Sequence, residues 1–201
     1  MFTGLIQDVG EIVGMEVSGE GARIRIATRL ASEIEIGDSV AVDGVCLTAT
    51  EVSADRFAID AMNQTLATTA LSDPLSTKLA NLELAMQASD RLGGHIVQGH
   101  VDGIGEVIAV AEDGFSRRLR VELDPELLRY AVDKGSITLS GVSLTIAELG
   151  DTWVEVSLIP ETLERTNLGE LTPGSNLNVE CDIVAKYVER LLAPFAGKER
   201  P

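Results

Sequence analysis

Proton-transfer chemistry in this chain is to be sought first at its only two histidines, His95 and His100. Both lie in residues 93–105, a stretch of thirteen residues that reads GGHIVQGHVDGIG and contains five glycines. Imidazole takes up and releases protons near neutral pH, and glycine lets the backbone approach a ligand closely. The stretch therefore predicts a site near the middle of the chain, although a glycine-rich bend with two structural histidines fits it equally well.

Two further reactive side chains, Cys46 and Ser143, occur in the matching motifs GVCLT and GVSLT. Side chains alternate along a strand, so Cys46 shares one face with Thr48, and Ser143 shares one face with Thr145. The repeat keeps these polar pairs while their neighbours change, which favours a functional interpretation. A solvated strand face or a structural turn explains the pattern as well.

Several common kinds of site do not match these residues. Ser143 lacks the GxSxG elbow of a hydrolase nucleophile, and the five-residue spacing of His95 and His100 suits neither HExxH nor a zinc finger. The glycine-rich stretch is not a strand-GxGxxG-helix motif, so a dinucleotide is not expected. We expect a protein with no metal and no bound cofactor.

The elements that must position these residues are predicted to be strands. The chain has 201 residues, of which 45% are hydrophobic and only 3% aromatic, so its core must be built from Val, Ile, Leu and Ala. The many Val and Ile residues favour strands. Short apolar segments at residues 5–17 and 22–28 flank a turn of sequence SGEG, and the spacing is typical of a small barrel.

Net charge and cysteine usage restrict the partners and the compartment. A formal charge of -16 repels nucleic acid and anionic membranes, so small molecules are the expected partners. Cys46 and Cys181 are far apart and form no CxxC motif, which indicates free thiols in a reducing compartment. With no basic leader and no apolar run of membrane-spanning length, we expect a cytoplasmic protein.

The second half of the chain repeats the first. GDSVAVDGVCLT at residues 37–48 aligns with KGSITLSGVSLT at residues 134–145, an offset of 97 (141 − 44). The same offset pairs Asn81 with Asn178 and Glu83 with Glu180. A period this long indicates a duplicated domain rather than a solenoid. We predict two similar β-barrels of about 90 residues each, with the histidine stretch at their junction.

Local signals give the remaining elements. Within each half we expect a strand that ends in GV(C/S)LT, followed by a turn and a strand that ends in TL. Residues 124–132 place Asp at a helix N-cap and Pro at the first helical position, which predicts a short helix. The tail from Asp182 has its apolar residues on one helical face. It fits either a helix packed on its own barrel or an oligomer contact.

Taken together, these motifs resemble the riboflavin synthase family over nearly the whole chain: MFTGLIQ, GVCLT, RLGGHIVQGHVDG, GVSLT, SLIPETLERTNLG and AKYVERLL. The resemblance implies an all-β fold of two tandem six-stranded, Greek-key-like barrels with a C-terminal helix that holds a homotrimer. The domains would be residues 1–92, 93–181 and 182–201. It also implies dismutation of two 6,7-dimethyl-8-ribityllumazine molecules to riboflavin and 5-amino-6-ribitylaminouracil, without cofactor, in sites between neighbouring chains.

Matching motifs carry the family's two substrate pockets onto this sequence. The first-half pocket would contain Gly4, Leu5, Ile6, Cys46, Leu47, Thr48, Asp60, Ala61, Met62, Asn63, Gln64 and Thr65. The second-half pocket would contain Gly99, His100, Val101, Lys134, Ser143, Leu144, Thr145, Ser157, Leu158, Ile159, Pro160, Glu161 and Thr162. Because Cys46 is matched by Ser143, and Asp43 by Ser140, we expect one pocket to donate carbon and the other to accept it.

The resemblance also implies catalytic roles. His100 is the expected base, and Ser143, with Thr145 and Cys46, would position or replace the attacking water, with Asp182 orienting one of them. His95, expected at the far end of a strand, would be structural. The alternative function is a non-catalytic lumazine or flavin carrier, which keeps the fold but loses much of the second-half site.

Overall fold

The protein is described by a computed structural model over residues 1–72 and 78–195, and its strands form two barrels. The tail predicted beyond residue 195 lies outside the described residues. Barrel 1 is built from six strands: β1 (Asp8–Ser18), β2 (Gly21–Ala27), β3 (Ser39–Val42), β4 (Val45–Val52), β5 (Arg56–Met62) and β6 (Leu79–Leu84). Barrel 2 is built from β7 (Gly103–Asp113), β8 (Ser116–Glu122), β9 (Ser136–Leu139), β10 (Val142–Leu149), β11 (Trp153–Leu158) and β12 (Asn176–Cys181).

Both barrels close with the same antiparallel order. Barrel 1 runs β1-β2-β5-β4-β3-β6 and returns to β1, and barrel 2 repeats it as β7-β8-β11-β10-β9-β12. The pairing of β2 with β5 and of β3 with β6 is the Greek-key feature. The predicted all-β fold of two similar six-stranded barrels is confirmed. The boundary at residue 92 stays a prediction, because segments on both sides of it contact the opposite barrel.

Each barrel has its own aliphatic core. In barrel 1 the fully buried side chains include Ile24, Phe57 and Ile59, and in barrel 2 they include Leu119 and Ile146. Such cores form because residues of one strand face alternate with outward residues. The core predicted from the low aromatic content, built mainly from Val, Ile, Leu and Ala, is therefore confirmed.

Two-residue turns join the central hairpins. Asp43 and Gly44 link β3 to β4 with φ of 45° and 78°, and Ser140 and Gly141 link β9 to β10 with φ of 44° and 82°. Positive φ at both positions defines the type I′ turn that matches strand twist. The expectation that GVCLT and GVSLT end strands is wrong. In each motif the glycine is the last turn residue, and a new strand, β4 or β10, begins at the valine that follows it.

The barrels meet where these two turns face each other. A Cβ on Gly44 would lie 2.7 Å from the backbone nitrogen of Gly141, and a Cβ on Gly141 would lie 2.8 Å from that of Gly44. Backbone can approach this closely only if both positions are glycine. The turns thus place a pseudo-twofold axis between the barrels.

Buried amides lock this contact symmetrically. The Asn81 side-chain amide donates to the carbonyl of Ser140 (2.8 Å), and that of Asn178 donates to the carbonyl of Asp43 (2.9 Å). Both asparagines are almost fully buried, so each bond satisfies a group that water cannot reach. The aligned pair found in the sequence is therefore the polar clamp between the barrels.

Asp43 breaks the symmetry of the clamp. Its Oδ1 accepts the Asn81 N–H (2.8 Å) and the Asn167 side-chain amide (2.9 Å). Burial raises the pKa of Asp43 to about 7, although both hydrogen bonds act to lower it. The interface therefore holds a carboxyl group that titrates close to neutrality.

In the described part of the chain, four short α-helices accompany the barrels: α1 (Asn63–Thr68), α2 (Pro125–Leu128), α3 (Pro160–Arg165) and α4 (Ile183–Leu192). α2 is confirmed with Asp124 as its N-cap, although it is shorter than predicted. α1 and α3 were expected as strands ending in TL, which is wrong; Pro160 sits at the start of α3, where it favours a helix. Among the helices within residues 1–72 and 78–195, not one has the length and apolar character to cross a membrane.

Asp43→Asn tests the cost of the interface carboxylate. The folded-state pKa of Asp43 lies above its unfolded value of 3.8, so the folded protein binds more protons and loses stability as pH rises from about 4 to 7. Asparagine keeps the Oδ1 acceptor and tolerates positive φ but carries no charge. Calorimetry should show the variant melting a few degrees above the parent at pH 8, with the difference shrinking towards pH 4.5. A pH-independent difference would contradict the assignment.

Candidate active site

Two short segments cross between the barrels and form the centre of the site. Residues 1–5 and 96–100 run antiparallel, with the Phe2 N–H donating to the carbonyl of Val97 (2.8 Å) and the Val97 N–H to that of Phe2 (3.2 Å). Phe2 is fully buried and packs with Val97 and Ala41. This pairing fixes where each segment ends.

Each segment contacts a strand of the opposite half, β10 with Ser143 for residues 1–5 and β4 with Cys46 for residues 96–100. The Ser143 N–H donates to the carbonyl of Gly4 (2.8 Å), and the Cys46 N–H donates to the carbonyl of Gly99 (2.8 Å). A Cβ on Gly4 would lie 2.5 Å from Ser143 Cβ, and a Cβ on Gly99 would lie 2.6 Å from Cys46 Cβ. The glycines of MFTGLI and GGHIVQGH therefore serve close packing against the reactive side chains.

This exchange corrects the composition of the two pockets. Sequence motifs grouped Gly4, Leu5 and Ile6 with Cys46, and Gly99, His100 and Val101 with Ser143. In the structure Ile6 packs against the core of barrel 2 and Val101 against that of barrel 1. The grouping was wrong because alignment of the halves orders residues along the chain, whereas the crossing segments place them on the other barrel. We call the two sites the Cys46 pocket and the Ser143 pocket.

The remaining predicted residues lie at one end of a strand pair in each barrel. Ala49 pairs with Ile59, so residues 46–48 and 60–62 extend from that pair in the same direction. Ile146 pairs with Val156, which places residues 143–145 and 157–158 in the same way. Residues 63–65 and 160–162 continue into α1 and α3. The structure thus brings each group together within its own barrel.

The predicted alternation is confirmed on β4, where Leu47 is buried while Thr48 is exposed and Cys46 is half-buried. On β10, Ser143 and Leu144 are both half-buried, with Leu144 packed against the core of barrel 2, and Thr145 is exposed. The polar pairs therefore face out of the barrel cores, where a ligand can reach them.

His95 contacts Ser143 directly. Its Nδ1 lies 2.7 Å from Ser143 Oγ, and its Nε2 lies 3.1 Å from Thr138 Oγ1. Ser143 and Thr138 are cross-strand partners on β10 and β9, so both hydroxyls point at one imidazole. The expectation that His95 sits at the far end of a strand is wrong, since it lies outside any strand, opposite Gly4 in the crossing segments.

The burial of His95 favours the neutral form of its imidazole. Burial lowers the pKa of His95, and the carboxylate of Asp182 acts in the opposite direction. A neutral imidazole with its proton on Nε2 can donate to Thr138 and accept from the Ser143 hydroxyl. The geometry is therefore that of a hydroxyl with an adjacent base.

His100, the predicted base, lies in the other pocket. Its side chain is exposed, and its N–H donates to Glu180 Oε2 (3.0 Å). It follows Gly99 and so lies beside Cys46 rather than Ser143. Its role stays a prediction, now for the Cys46 pocket.

Lys134 is tied to the Ser143 strand by its backbone, and the charge of Asp182 acts on His95. Lys134 is exposed, holds φ of 61°, and its N–H donates to the carbonyl of Ile146 (3.1 Å), the residue after the GVSLT motif. A lysine in the left-handed region is strained, which is common at functional positions. Asp182 caps α4 by accepting the Val184 N–H (2.9 Å).

The pockets are chemically unequal. Thr138 and Ser143 of barrel 2 are matched by Ala41 and Cys46 of barrel 1, which hold the same register. Among the residues 1–72 and 78–195, the Ser143 pocket is thus the one in which an imidazole, that of His95, lies between two hydroxyls.

Sequence reasoning missed three contributors. Thr138 was not selected because its match in the first half is Ala41. Glu83 and Glu180 were aligned but given no role, although both are buried against the crossing segments. Within the described part of the chain, no cluster of three or more His, Cys, Asp and Glu residues could hold a metal ion.

Comparison with known proteins defines the class first. The family described as Lumazine binding domain matches residues 3–85 and 98–182, once for each barrel. The solved structure of LumP complexed with riboflavin superposes with a TM-score of 0.84 at 26% identity, covering 90% of this chain and 99% of that one. LumP complexed with 6,7-dimethyl-8-(1'-D-ribityl)lumazine gives a TM-score of 0.81 at the same identity, covering 90% and 98%. Fold and site together define a duplicated lumazine-binding barrel protein.

Sequence relatives then give the particular family. The chain is 45% identical to the riboflavin synthase of Actinobacillus pleuropneumoniae and 42% identical to that of Bacillus subtilis, in each case over 96% of this chain and 90% of the relative. Identity to the riboflavin synthase of Mycobacterium tuberculosis is 45% over 96% of this chain and 98% of the relative. The chain belongs to the riboflavin synthase family.

Asp182→Asn tests the electrostatics of the imidazole. Asparagine still caps α4 but removes the charge that favours the imidazolium, so the pKa of His95 should fall further below its ordinary value. With two histidines in the chain, ring-proton NMR titration resolves both. Asp151→Asn, in the turn at the far end of β10, is the control and should leave the His95 pKa in place. An unchanged pKa in Asp182→Asn would contradict the described coupling.

Proposed function

We propose that this chain catalyses the dismutation of two molecules of 6,7-dimethyl-8-ribityllumazine. A four-carbon unit passes from one molecule to the other, giving riboflavin and 5-amino-6-ribitylaminouracil. The observation that carries the proposal is the pair of matched but unequal pockets in a chain of the riboflavin synthase family. The reaction makes the protein a transferase.

Duplication suits a reaction between two copies of one substrate. A pseudo-twofold pair of pockets can bind two lumazines in opposite orientations, so that one donates and the other accepts carbon. Orientation of two reactants supplies about 7–11 kcal/mol of barrier lowering in favourable cases. Positioning can therefore account for a large part of the acceleration.

In the Ser143 pocket, chemistry falls to the hydroxyl and its imidazole. Ser143, with Thr145 on the same face, positions water for addition at C7 of one lumazine. His95, kept neutral by burial, accepts the proton that this addition releases. Thr138 holds the ring by its other nitrogen.

In the Cys46 pocket, His100 is the group that takes a proton from the C7 methyl of the second lumazine. Its exposed ring and its place beside Gly99 leave it free to face a ligand on the strand that carries Cys46 and Thr48. The inequality of the pockets gives them different tasks: the lumazine deprotonated in the Cys46 pocket accepts the carbon unit, and the lumazine hydrated at C7 in the Ser143 pocket donates it as its C–N bonds break.

A carrier function is separated from catalysis by a direct assay. Incubation of the purified protein with 6,7-dimethyl-8-ribityllumazine should produce riboflavin absorbance with several turnovers per chain. A carrier would shift the ligand spectrum without consuming it. Cytoplasmic location stays a prediction from the two free cysteines.

Helix α4 supports an oligomer, because its polar face rather than its apolar face is bound to the protein's own barrel. Lys186 forms an ion pair with Asp102 (2.6 Å), and Glu189 accepts the Tyr130 hydroxyl (2.8 Å) and pairs with Arg129. The opposite face exposes large apolar side chains: Val184, Tyr187, Val188, Leu191, Leu192 and Phe195. An apolar strip on a helix fixed in this orientation favours contact with other copies of the chain.

The proposed assembly is a homotrimer in which α4 brings the Cys46 pocket of one chain to the Ser143 pocket of the next. Within one chain the Cys46 pocket and the Ser143 pocket lie on separate barrels. Two lumazines bound there would meet only across chains. The trimer would then be required for turnover.

Glutamine variants of the two histidines test the assigned roles. Glutamine cannot exchange protons at neutral pH, and general acid–base help is worth about 10² to 10⁴ in rate, so His95→Gln and His100→Gln should each lose at least the lower figure in kcat. Ligand binding, measured by fluorescence titration, should persist. Single-turnover kinetics make the comparison. Thr138→Val, which leaves the imidazole, should lose less than His95→Gln, and a His95→Gln enzyme within a few-fold of the parent would make His95 structural.

Charge placed on the apolar strip tests the assembly. Tyr187→Asp with Leu191→Asp should yield a folded chain that sediments as a smaller species and binds ligand but makes little riboflavin, because buried charge opposes association. Arg190→Ala on the same helix is the control and should sediment as the parent does. A double variant of parental size and turnover would exclude α4 as the interface.

A further inference from the structure

We propose that the buried carboxylates Glu83 and Glu180 are positioning residues, each of which fixes a crossing segment and thereby shapes the pocket on the opposite barrel. Glu180 of barrel 2 sets the Cys46 pocket, and Glu83 of barrel 1 sets the Ser143 pocket. The effect on turnover rests on the proposed function. The effect on the geometry of the pockets does not.

Glu83 holds the first segment with both carboxylate oxygens. Oε1 accepts the N–H of Thr3 (2.6 Å) and the Thr3 hydroxyl (2.7 Å), and Oε2 accepts the N–H of Gly4 (3.0 Å). Glu83 is 3% exposed, so these donors replace water completely. The carbonyl of Gly4 accepts a hydrogen bond from the Ser143 N–H, so Gly4 alone links the Glu83 carboxylate to the Ser143 pocket.

Glu180 holds the second segment in the same manner. Oε1 accepts the N–H of Gln98 (2.7 Å), and Oε2 accepts those of Gly99 (2.9 Å) and His100 (3.0 Å). It is also 3% exposed. The carbonyl of Gly99 receives the Cys46 N–H, and the next residue carries the imidazole of that pocket.

The anchors are strong because they join a charge to backbone donors away from water. Burial raises the pKa of both carboxyls, while the donated hydrogen bonds act to lower it. Hydrogen bonds to a charged group contribute about 1.5–3 kcal/mol each, so three of them fix a segment that no strand ladder holds. A glutamine in either place would turn an NH₂ group towards backbone N–H donors and lose the charge.

The two possible roles of each glutamate, positioning of the opposite pocket and support of its own barrel, predict different effects of mutation. Glu83 belongs to the barrel that carries Cys46, and lies two strands away from it through Ala41. Loosening of a barrel by loss of a buried carboxylate would therefore expose Cys46 in Glu83→Gln. Positioning through the crossing segments predicts the opposite order, with Cys46 exposed in Glu180→Gln.

Alkylation of Cys46 by iodoacetamide measures this order. Peptide mapping by mass spectrometry counts Cys46 apart from the buried Cys181. Loss of a charge-assisted anchor should raise the Cys46 rate about tenfold in Glu180→Gln, and leave it within about threefold of the parent in Glu83→Gln. Glu155→Gln is the matched control, since Glu155 is a buried barrel carboxylate bound to Arg118 and Arg120 and not to a crossing segment.

Melting temperatures keep the result interpretable. All three glutamine variants should lose stability, so a general loss would speed alkylation in each of them. If Glu180→Gln fails to fold, Glu180→Asp retains the charge but is one methylene too short for all three donors, and should show a smaller rise in the Cys46 rate. Equal rates in the three variants, or the largest rise in Glu83→Gln, would overturn the proposal.

Turnover provides the second measurement. With riboflavin synthesis established for the parent, Glu180→Gln should raise KM and lower kcat together, because it loosens the Cys46 pocket along with its proposed base, His100. Glu83→Gln should lower kcat with a smaller change in KM, because the Cys46 pocket and His100 stay ordered. An inactive parent would refute the proposed function and leave the alkylation test intact, and identical kinetic changes in the two variants would count against positioning.

Discussion

The close contact of two left-handed turns governs this molecule. Gly44 and Gly141 touch backbone to backbone, and the two side-chain amides of Asn81 and Asn178 cross the contact in opposite directions. Because neither turn can retreat without breaking both clamps, the barrels have one relative orientation. The crossing segments, the pockets and the face that α4 presents all follow from that orientation.

The two similar barrels differ chemically at a few positions near their contact and their pockets. Barrel 1 has Asp43 where barrel 2 has Ser140, and burial raises the pKa of the Asp43 carboxyl to about 7. The side-chain amide of Asn167, from the second half, donates a hydrogen bond to this carboxyl. Thr138 in place of alanine, together with His95, gives one pocket an imidazole between two hydroxyls. Duplication thus supplies matched positions, and single substitutions give the two pockets distinct chemistry.

Much of this could be predicted from the sequence, because duplication leaves a long register of matched residues. Barrel count, strand alternation at Leu47, and the capped helices at Asp124 and Asp182 depend on local patterns and were confirmed. The partnership of His95 with Ser143 was not predictable, because it depends on where two short segments cross between barrels. Alignment placed Gly4 with Cys46 for the same reason, since periodicity carries no information about exchange.

The exchange of N-terminal segments between the two halves resembles the exchange between two chains. Each half lends its first residues to the other, which is the arrangement of a domain-swapped dimer whose two copies have been joined end to end. A single half would leave an open groove beside its reactive strand and a loose N-terminal arm. A second copy of that half would close both, giving two identical pockets. Joining the copies in one chain is what allows the two pockets to differ.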